Sequence, residues 1–256
     1  MIVEIGGTQI QIETGHAAFR EMLQARYANF DVPSSENPIR LDVEIAEGNA
    51  EADLTVHYRD GLWNIQRGDF HATYDPLRRH GQVRQTANPW SIDTLIRIVH
   101  SLELATAGGF LLHAASVIRN GRAYIFTGQS GAGKTTISRL APASAALLTD
   151  EISYIRSDSG GFRAWGTPFA GELGKPGPNV SAPVAALYFL EHGPQNRIER
   201  LAPAAALRAL LKNILFFADD ARLVNGIFET AHRFLEKTEA YRLAFVPDAA
   251  VWSHIP

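Results

Sequence analysis

Nine consecutive residues carry the plainest chemistry in this 256-residue chain: Gly128-Gln129-Ser130-Gly131-Ala132-Gly133-Lys134-Thr135-Thr136. The first eight match the spacing G-x-x-x-x-G-K-[ST]. Glycines at those positions let the backbone curl until successive N–H groups converge on phosphate oxygens. A helix opening directly after the loop adds a positive N-terminal end. Lys134 reaches the outer phosphates of a nucleotide, and the Thr135 hydroxyl suits Mg²⁺. The residues expected to cradle the phosphates are therefore Gly128, Ser130, Gly131, Ala132, Gly133, Lys134, Thr135 and Thr136. Lysine is scarce here, with four against 20 arginines, and Lys134 is the first in the chain. A compact ammonium is what such a loop needs, and a guanidinium fork does not replace it.

A second signal is Leu147-Leu148-Thr149-Asp150-Glu151, with Asp150 16 residues after Lys134. Nucleotide-dependent phosphotransfer wants an acid at the end of a neighbouring strand, close to the metal or the attacking group. Strand–Asp junctions are also common turns. The loop upstream is what lifts Asp150 and Glu151 above that reading.

The elements that must position these residues follow from periodicity. Ile2-Val3-Glu4-Ile5, Gly6-Gly7 and Gln9-Ile10-Gln11-Ile12 predict a hairpin. Residues 41–45 alternate, as do 54–58 and 62–65 around Asp60-Gly61, another hairpin signal. Residues 1–88 thus read as mostly antiparallel β, with one helix over 17–28. Trp63, Phe70, Tyr74 and Trp90 read as core aromatics more readily than as a binding face.

Asn88-Pro89 breaks that pattern. From Ser91, a candidate N-cap, Ile92, Leu95, Ile96, Val99 and Leu102 fall on one helical face, which Gly108-Gly109 ends. A hairpin over 110–119 and 123–127 then runs straight into the glycine loop, and a helix follows to about 141. Strands are expected near 146–148, 152–157, 162–166 and 184–190. Helices are expected over 203–217 and 219–238, the second with Leu223, Ile227, Phe228, Ala231, Phe234 and Leu235 on its apolar face. A last strand pair fits 241–246 and 251–254. Residues 174–178, Gly-Lys-Pro-Gly-Pro, read as a mobile loop.

Composition narrows the function classes. The net charge of −3 argues against a strongly basic nucleic-acid binder. The absence of cysteine excludes disulfides, zinc–thiolate sites and cysteine nucleophiles. No signal segment or membrane span is apparent, so a cytoplasmic protein without membrane or nucleic-acid partners is expected. Residues 1–90 carry 8 basic and 13 acidic side chains, whereas 91–256 carry 16 and 14. With the change of period, this predicts a β-rich N-terminal region over 1–90 and a catalytic domain over 91–256.

The run Leu112-His113-Ala114-Ala115-Ser116-Val117, the hairpin, the glycine loop and Thr149-Asp150-Glu151 together resemble the HPr kinase/phosphorylase-like family. The resemblance covers about 108–156. It implies an α/β fold with a P-loop kinase core, a mixed sheet with flanking helices. It implies ATP-dependent, Mg²⁺-assisted transfer of phosphate to a serine- or threonine-type hydroxyl of a protein or peptide, and a homo-oligomer. In that family a histidine lies on the strand before the loop, and here that is His113, 21 residues before Lys134. The proton-accepting role falls on Asp150, and the catalytic set is Asp150, Lys134 and His113. The metal set is Thr135, Asp150 and Glu151, with Glu172 the nearest candidate for a further acid. The family's Glu-x-Arg-Gly and Pro-Gly-Arg-Asn segments are absent from this sequence. It is therefore most similar to divergent members linked to peptide modification. Two other readings stay open: a nucleotide-gated regulatory or adaptor ATPase without phosphotransfer, and a kinase of a small metabolite.

Overall fold

A computed structural model describes residues 1–33, 37–48 and 52–256. It is a mixed α/β structure, with two mixed sheets and few helices. The chain divides into two compact units, Met1–Glu103 with Phe216–Val224, and Leu104–Leu215 with Asn225–Pro256.

The first unit is built on seven strands: β1 (Ile2–Ile5), β2 (Thr8–Thr14), β3 (Ile39–Ile45), β4 (Thr55–Arg59), β5 (Leu62–Arg67), β6 (Phe70–Asp75) and β7 (His80–Gln85), in the order β1-β2-β3-β7-β6-β5-β4. The glycine and Asp-Gly turns close the expected hairpins, with Asp60 and Gly61 both at positive φ. The pairs β2–β3 and β3–β7 are parallel and the others antiparallel. Helix α1 (Ala17–Arg26) falls where expected and buries Phe19 and Leu23. Trp63, Phe70 and Tyr74 are buried in this unit, whereas Trp90 is exposed, with the Arg26 guanidinium 4.6 Å from its ring.

Helix α2 (Pro89–Ala107) corrects one expectation. Ser91 does not cap it. The Asn88 side-chain oxygen accepts from Trp90 N at 3.0 Å, and Pro89 opens the helix with its fixed φ and no N–H to leave unpaired. Ser91 lies in the first turn and donates to Asp69 at 2.6 Å. The division between units also falls at 103/104 within α2 rather than at 90/91. The reason is chemical: Ser91, Asp93 and Glu103 of α2 bond Asp69, Arg26, Tyr27, Tyr74 and Arg79 of the first unit. The change of period at Ser91 marks a new element, not a new unit.

The second unit holds β8 (Gly109–Arg119), β9 (Arg122–Thr127), α3 (Lys134–Arg139), β10 (Ala146–Thr149), β11 (Ile152–Asp158), β12 (Gly161–Trp165), β13 (Ser181–His192), β14 (Arg197–Arg200), α4 (Pro203–Leu211), β15 (Ile214–Leu215), α5 (Ala221–Lys237, from Asn225 on) and β16 (Glu239–Phe245). Its nine strands form one sheet with a hydrophobic core on each face. Strand β9 shows why: Ala123 and Ile125 join one core with Leu210 of α4 and Phe234 of α5, and Tyr124 and Phe126 join the other with Ile137 and Trp252. Burial on both faces makes β8 and β9 read as near-continuous apolar runs.

Three features differ from expectation. Helix α4 stops at Leu211, because Ile214 and Leu215 pair with Leu112 and Leu111 of β8. Residues 249–253 form a 3₁₀ turn rather than a strand, capped by the Asp248 carboxylate and anchored by Trp252 Nε1 donating to Ile137 O at 3.1 Å. Phe228 of α5 is 48% exposed and Thr230 takes the buried position instead. Among the described residues no helix is long and apolar enough to cross a membrane.

Candidate functional site

The glycine loop joins β9, an interior strand paired with both β8 and β13, to α3 at the strand-end edge of the second unit's sheet. Strand β13 runs parallel to β9, pairing Phe189 with Thr127, so the end of β13 flanks the loop. Strand β8 runs antiparallel on the other side, pairing Ala114 with Thr127. That register leaves His113 beside the start of the loop, and Thr127 Oγ1 donates to its carbonyl at 2.8 Å. Ile152 of β11 pairs with His113, so the 149–151 turn arrives at the same edge. Two registers therefore gather segments that the sequence separates.

Within the loop, backbone demands explain residue choice. Gly131 and Gly133 have φ of 80° and 102°, which L side chains rarely adopt. A Cβ on Gly133 would lie 2.6 Å from the Phe245 ring, whereas nothing lies within 4 Å of one on Gly131. The loop thus rests on β16 and is open at its apex. Ser130 is exposed there, and Ala132, Thr135 and Thr136 are half-buried. His192, at the end of β13, bonds the Gly131 carbonyl through Nε2 at 2.8 Å.

The Lys134 side chain is buried and curls back into the loop, donating to the carbonyl oxygens of Gly128 at 3.1 Å and Gln129 at 3.4 Å. Burial pushes its pKa down, and the charges of Glu151 and Glu172 act against that. His113 Nε2 lies 3.8 Å from Glu151 Oε1. Burial and then the Lys134 charge lower its pKa, with Glu151 opposing, so the imidazole is neutral at pH 7. Lys134, His113 and Glu151 are accordingly brought together, with Glu172 near enough to be felt.

Asp150 is placed differently. It is buried, and both carboxylate oxygens are engaged by backbone: Oδ1 accepts from Gly171 N at 2.9 Å and Oδ2 from Leu173 N at 2.8 Å. Residues 166–180 form a strap tied by backbone bonds, in which Gly177 of the 174–178 segment is buried while 174–176 and 178 are exposed. Gly166 N donates to Val180 O, Gly177 N to Thr167 O and Gly174 N to Gly171 O, each at 3.0 Å. Glycine permits this closeness, since a Cβ on Gly177 would fall 1.7 Å from the Leu148 carbonyl oxygen. Lys175 is exposed at the strap's surface.

The expected metal set of Thr135, Asp150, Glu151 and Glu172 does not form a closed cage. Among the described residues no three His, Cys, Asp or Glu side chains group closely enough to hold a metal alone. Magnesium does not ask for such a cage, because it commonly takes one or two carboxylates and fills its shell with phosphate oxygens and water. The donor set fits that use: a hydroxyl at Thr135, carboxylates at Glu151 and Glu172, and a buried ammonium to meet the phosphates. Sequence reasoning missed His192, which belongs to no motif; only the parallel pairing of β13 with β9 brings it to the loop.

The profile described as "ScmC: SynChlorMet cassette protein ScmC" matches residues 83–255, most of the chain and all of this edge. The chain belongs to the ScmC family. The match to ScmC begins in β7 and runs through the 3₁₀ turn, so the loop, the 149–151 turn and the strap all lie inside it. No curated protein matches the chain.

Proposed function

We propose that this chain binds ATP at the 128–135 loop and transfers the terminal phosphoryl group to a serine- or threonine-type hydroxyl of a protein or peptide. The observation that carries the reading is Lys134, a buried ammonium folded into a glycine-rich loop between a strand and a helix, with an imidazole and two carboxylates acting on the same edge. A buried cation held by carbonyl oxygens is poised to exchange them for phosphate oxygens, which are charged and bind it more strongly.

In this reading the loop N–H groups and Lys134 hold the phosphates and spread the charge that builds on the transferring group. Thr135, Glu151 and Glu172 would hold magnesium with the phosphate oxygens, and the ion would supply neutralising charge there. The acceptor oxygen bonds to the γ-phosphorus as the bond from that phosphorus to the bridging oxygen breaks. ADP leaves, and the hydroxyl proton passes to water. Neutral His113 adds a hydrogen-bonding group at the reacting phosphate without adding charge.

Incubation with γ-labelled ATP and candidate acceptor peptides tests the proposal. Label on a peptide hydroxyl supports it, and label recovered only as free phosphate sinks transfer. One observation favours a second reading, nucleotide-gated binding without transfer: the carboxylate expected to take the proton, Asp150, is sealed by the strap. The same assay separates the two.

A further inference from the structure

The two N–H groups that bond Asp150 are not scattered along the strap. They flank a single residue, Glu172. Gly174 N donates back to Gly171 O, closing a tight turn over 171–174, and Gly174 takes φ of 64° to complete it. Glu172 sits at the first central position of that turn. The fit leaves no slack, since a Cβ on Gly171 would lie 2.9 Å from both Asp150 Oδ2 and Glu151 Oε2. A proton acceptor needs a lone pair that faces the substrate and an approach for the donor. Asp150 offers neither, at 2% exposure and with each oxygen accepting from the strap. What it does hold is the peptide segment that presents Glu172.

We propose that Asp150 is a positioning residue: its carboxylate clamps the 171–174 turn and so fixes Glu172 where it can join Glu151 in holding the magnesium of the bound nucleotide. This rests on the nucleotide-binding reading above and departs from it on Asp150, which acts through Glu172 rather than on the acceptor. The negative charge of Glu172 already acts on Lys134 in the unliganded chain, which supports the placement. Partners that orient a metal-holding carboxylate govern metal affinity more than they govern the chemical step.

The test uses the full chain and three variants, Asp150→Asn, Gly171→Ala and Glu172→Gln. Hydrogen exchange without ligand reads the clamp directly. In Asp150→Asn and Gly171→Ala the amides of Gly171 and Leu173 should exchange faster, by about tenfold or more, and in Glu172→Gln they should not. Titration with a fluorescent ATP analogue at varied magnesium reads the consequence. All three variants should need about 10- to 100-fold more magnesium for tight nucleotide binding, with affinity in chelator as in the parent. Transfer lost to Asp150→Asn should return as magnesium is raised.

Transfer abolished in Asp150→Asn at every magnesium concentration, with exchange and magnesium dependence as in the parent, makes Asp150 the base and overturns the proposal. So does a loosened turn with no change in magnesium dependence. Gly171→Ala keeps the carboxylate, so it decides the question if Asp150→Asn fails to fold. A parent chain that binds Mg²⁺–nucleotide but transfers nothing retires the transfer reading alone, and the exchange and magnesium arms still decide the clamp. A parent chain that binds no nucleotide overturns both.

Discussion

The two units meet most of their buried charges with different partners, Asp75 of the first being the exception, since it takes the N–H groups of Leu77 and Arg78 as well as the Arg78 guanidinium. In the first, each of three carboxylates meets one arginine and one hydroxyl. Asp93 takes Arg26 and Tyr27, Asp69 takes Arg67 and Ser91, and Glu103 takes Arg79 and Tyr74. In the second, the two buried charges at the loop edge are met by backbone: Lys134 by two carbonyl oxygens and Asp150 by two N–H groups. A carboxylate neutralised by a guanidinium has nothing left to offer a ligand, and removing either partner strands the other. An ammonium held only by carbonyl dipoles, as Lys134 is, keeps its full charge for whatever arrives, whereas Asp150 is occupied with the 171–174 turn. Under the proposed function Lys134 is the working charge of the second unit, and the arginine-paired carboxylates of the first are structural.

The largest expected effect breaks the working side. Lys134→Ala should lower phosphoryl transfer by roughly 10³-fold or more in the γ-labelled ATP assay. Its thermal unfolding midpoint should hold or rise, because the folded chain already disfavours the Lys134 charge through burial. A midpoint that falls by as much as that of an Asp93 variant would show that Lys134 is structural, and the contrast between the units would collapse.

On the structural side, Asp93→Asn should cost about 3–5 kcal/mol, read as a shift of the urea midpoint with unchanged slope. Arg26 and Tyr27 would lose the carboxylate that both bond. Nucleotide binding per folded molecule should not change.

How much of this was legible follows from the same distinction. The glycine loop, its strand and its helix are local features with special backbone demands, and those demands dictate residue types that can be read directly. The hairpins at Asp60-Gly61 and Asn120-Gly121 were legible for the same reason, with positive φ at all four positions. His113 follows from resemblance and Glu151 from the strand-end acids after the loop, but their meeting depends on β8–β11 register, which periodicity cannot give. The proton-accepting role that resemblance gives Asp150 says nothing of its bonds to Gly171 and Leu173, because a sequence shows a carboxylate and not its partners. The burial of Gly177 against Leu148 was not legible, because Gly and Pro serve close packing as well as mobility. The end of α4 at Leu211 was hidden because Ile214-Leu215 continues an apolar run while changing partner from helix to strand.

A pH titration sharpens the comparison through two histidines. His100 of the first unit is fully buried, and burial pushes its pKa from 6.5 down to about 3. His113 moves in the same direction but is half-exposed, and Glu151 opposes the shift. For His100 the unfolded chain takes up a proton below pH 6.5 that the folded chain refuses until about pH 3. Stability is therefore intact above pH 6.5 and falls as pH drops through that window, by about 1.4 kcal/mol per pH unit from this one group. Replacing it by His100→Gln should shrink the loss of stability between pH 7 and pH 5 by about 2 kcal/mol, measured as the difference in urea-unfolding free energy. The corresponding change in His113→Gln should be smaller. Equal changes would mean that burial does not separate the two units' histidines.

The smallest effect probes the loop from the side that carries no motif. His192 reaches the loop only because β13 lies parallel to β9, and its Nε2 meets the Gly131 carbonyl at 2.8 Å. A carbonyl can only accept, so Nε2 carries the proton, in the neutral as in the charged ring. The bond pins the open apex of a loop whose other side rests on Phe245. Without it the N–H groups must be ordered by the nucleotide, at a cost drawn from binding. His192→Ala should weaken nucleotide affinity by about tenfold, worth ~1.4 kcal/mol, with little change in thermal midpoint. Gln places an amide N–H at a similar reach, so His192→Gln should restore most of the affinity where a purely steric role would not be rescued. An alanine variant that binds the fluorescent nucleotide as tightly as the parent would mean that the loop is held by its own glycines, Lys134 and Phe245. The working charge of the second unit would then be positioned without help from any side chain outside the motif and the strand beneath it.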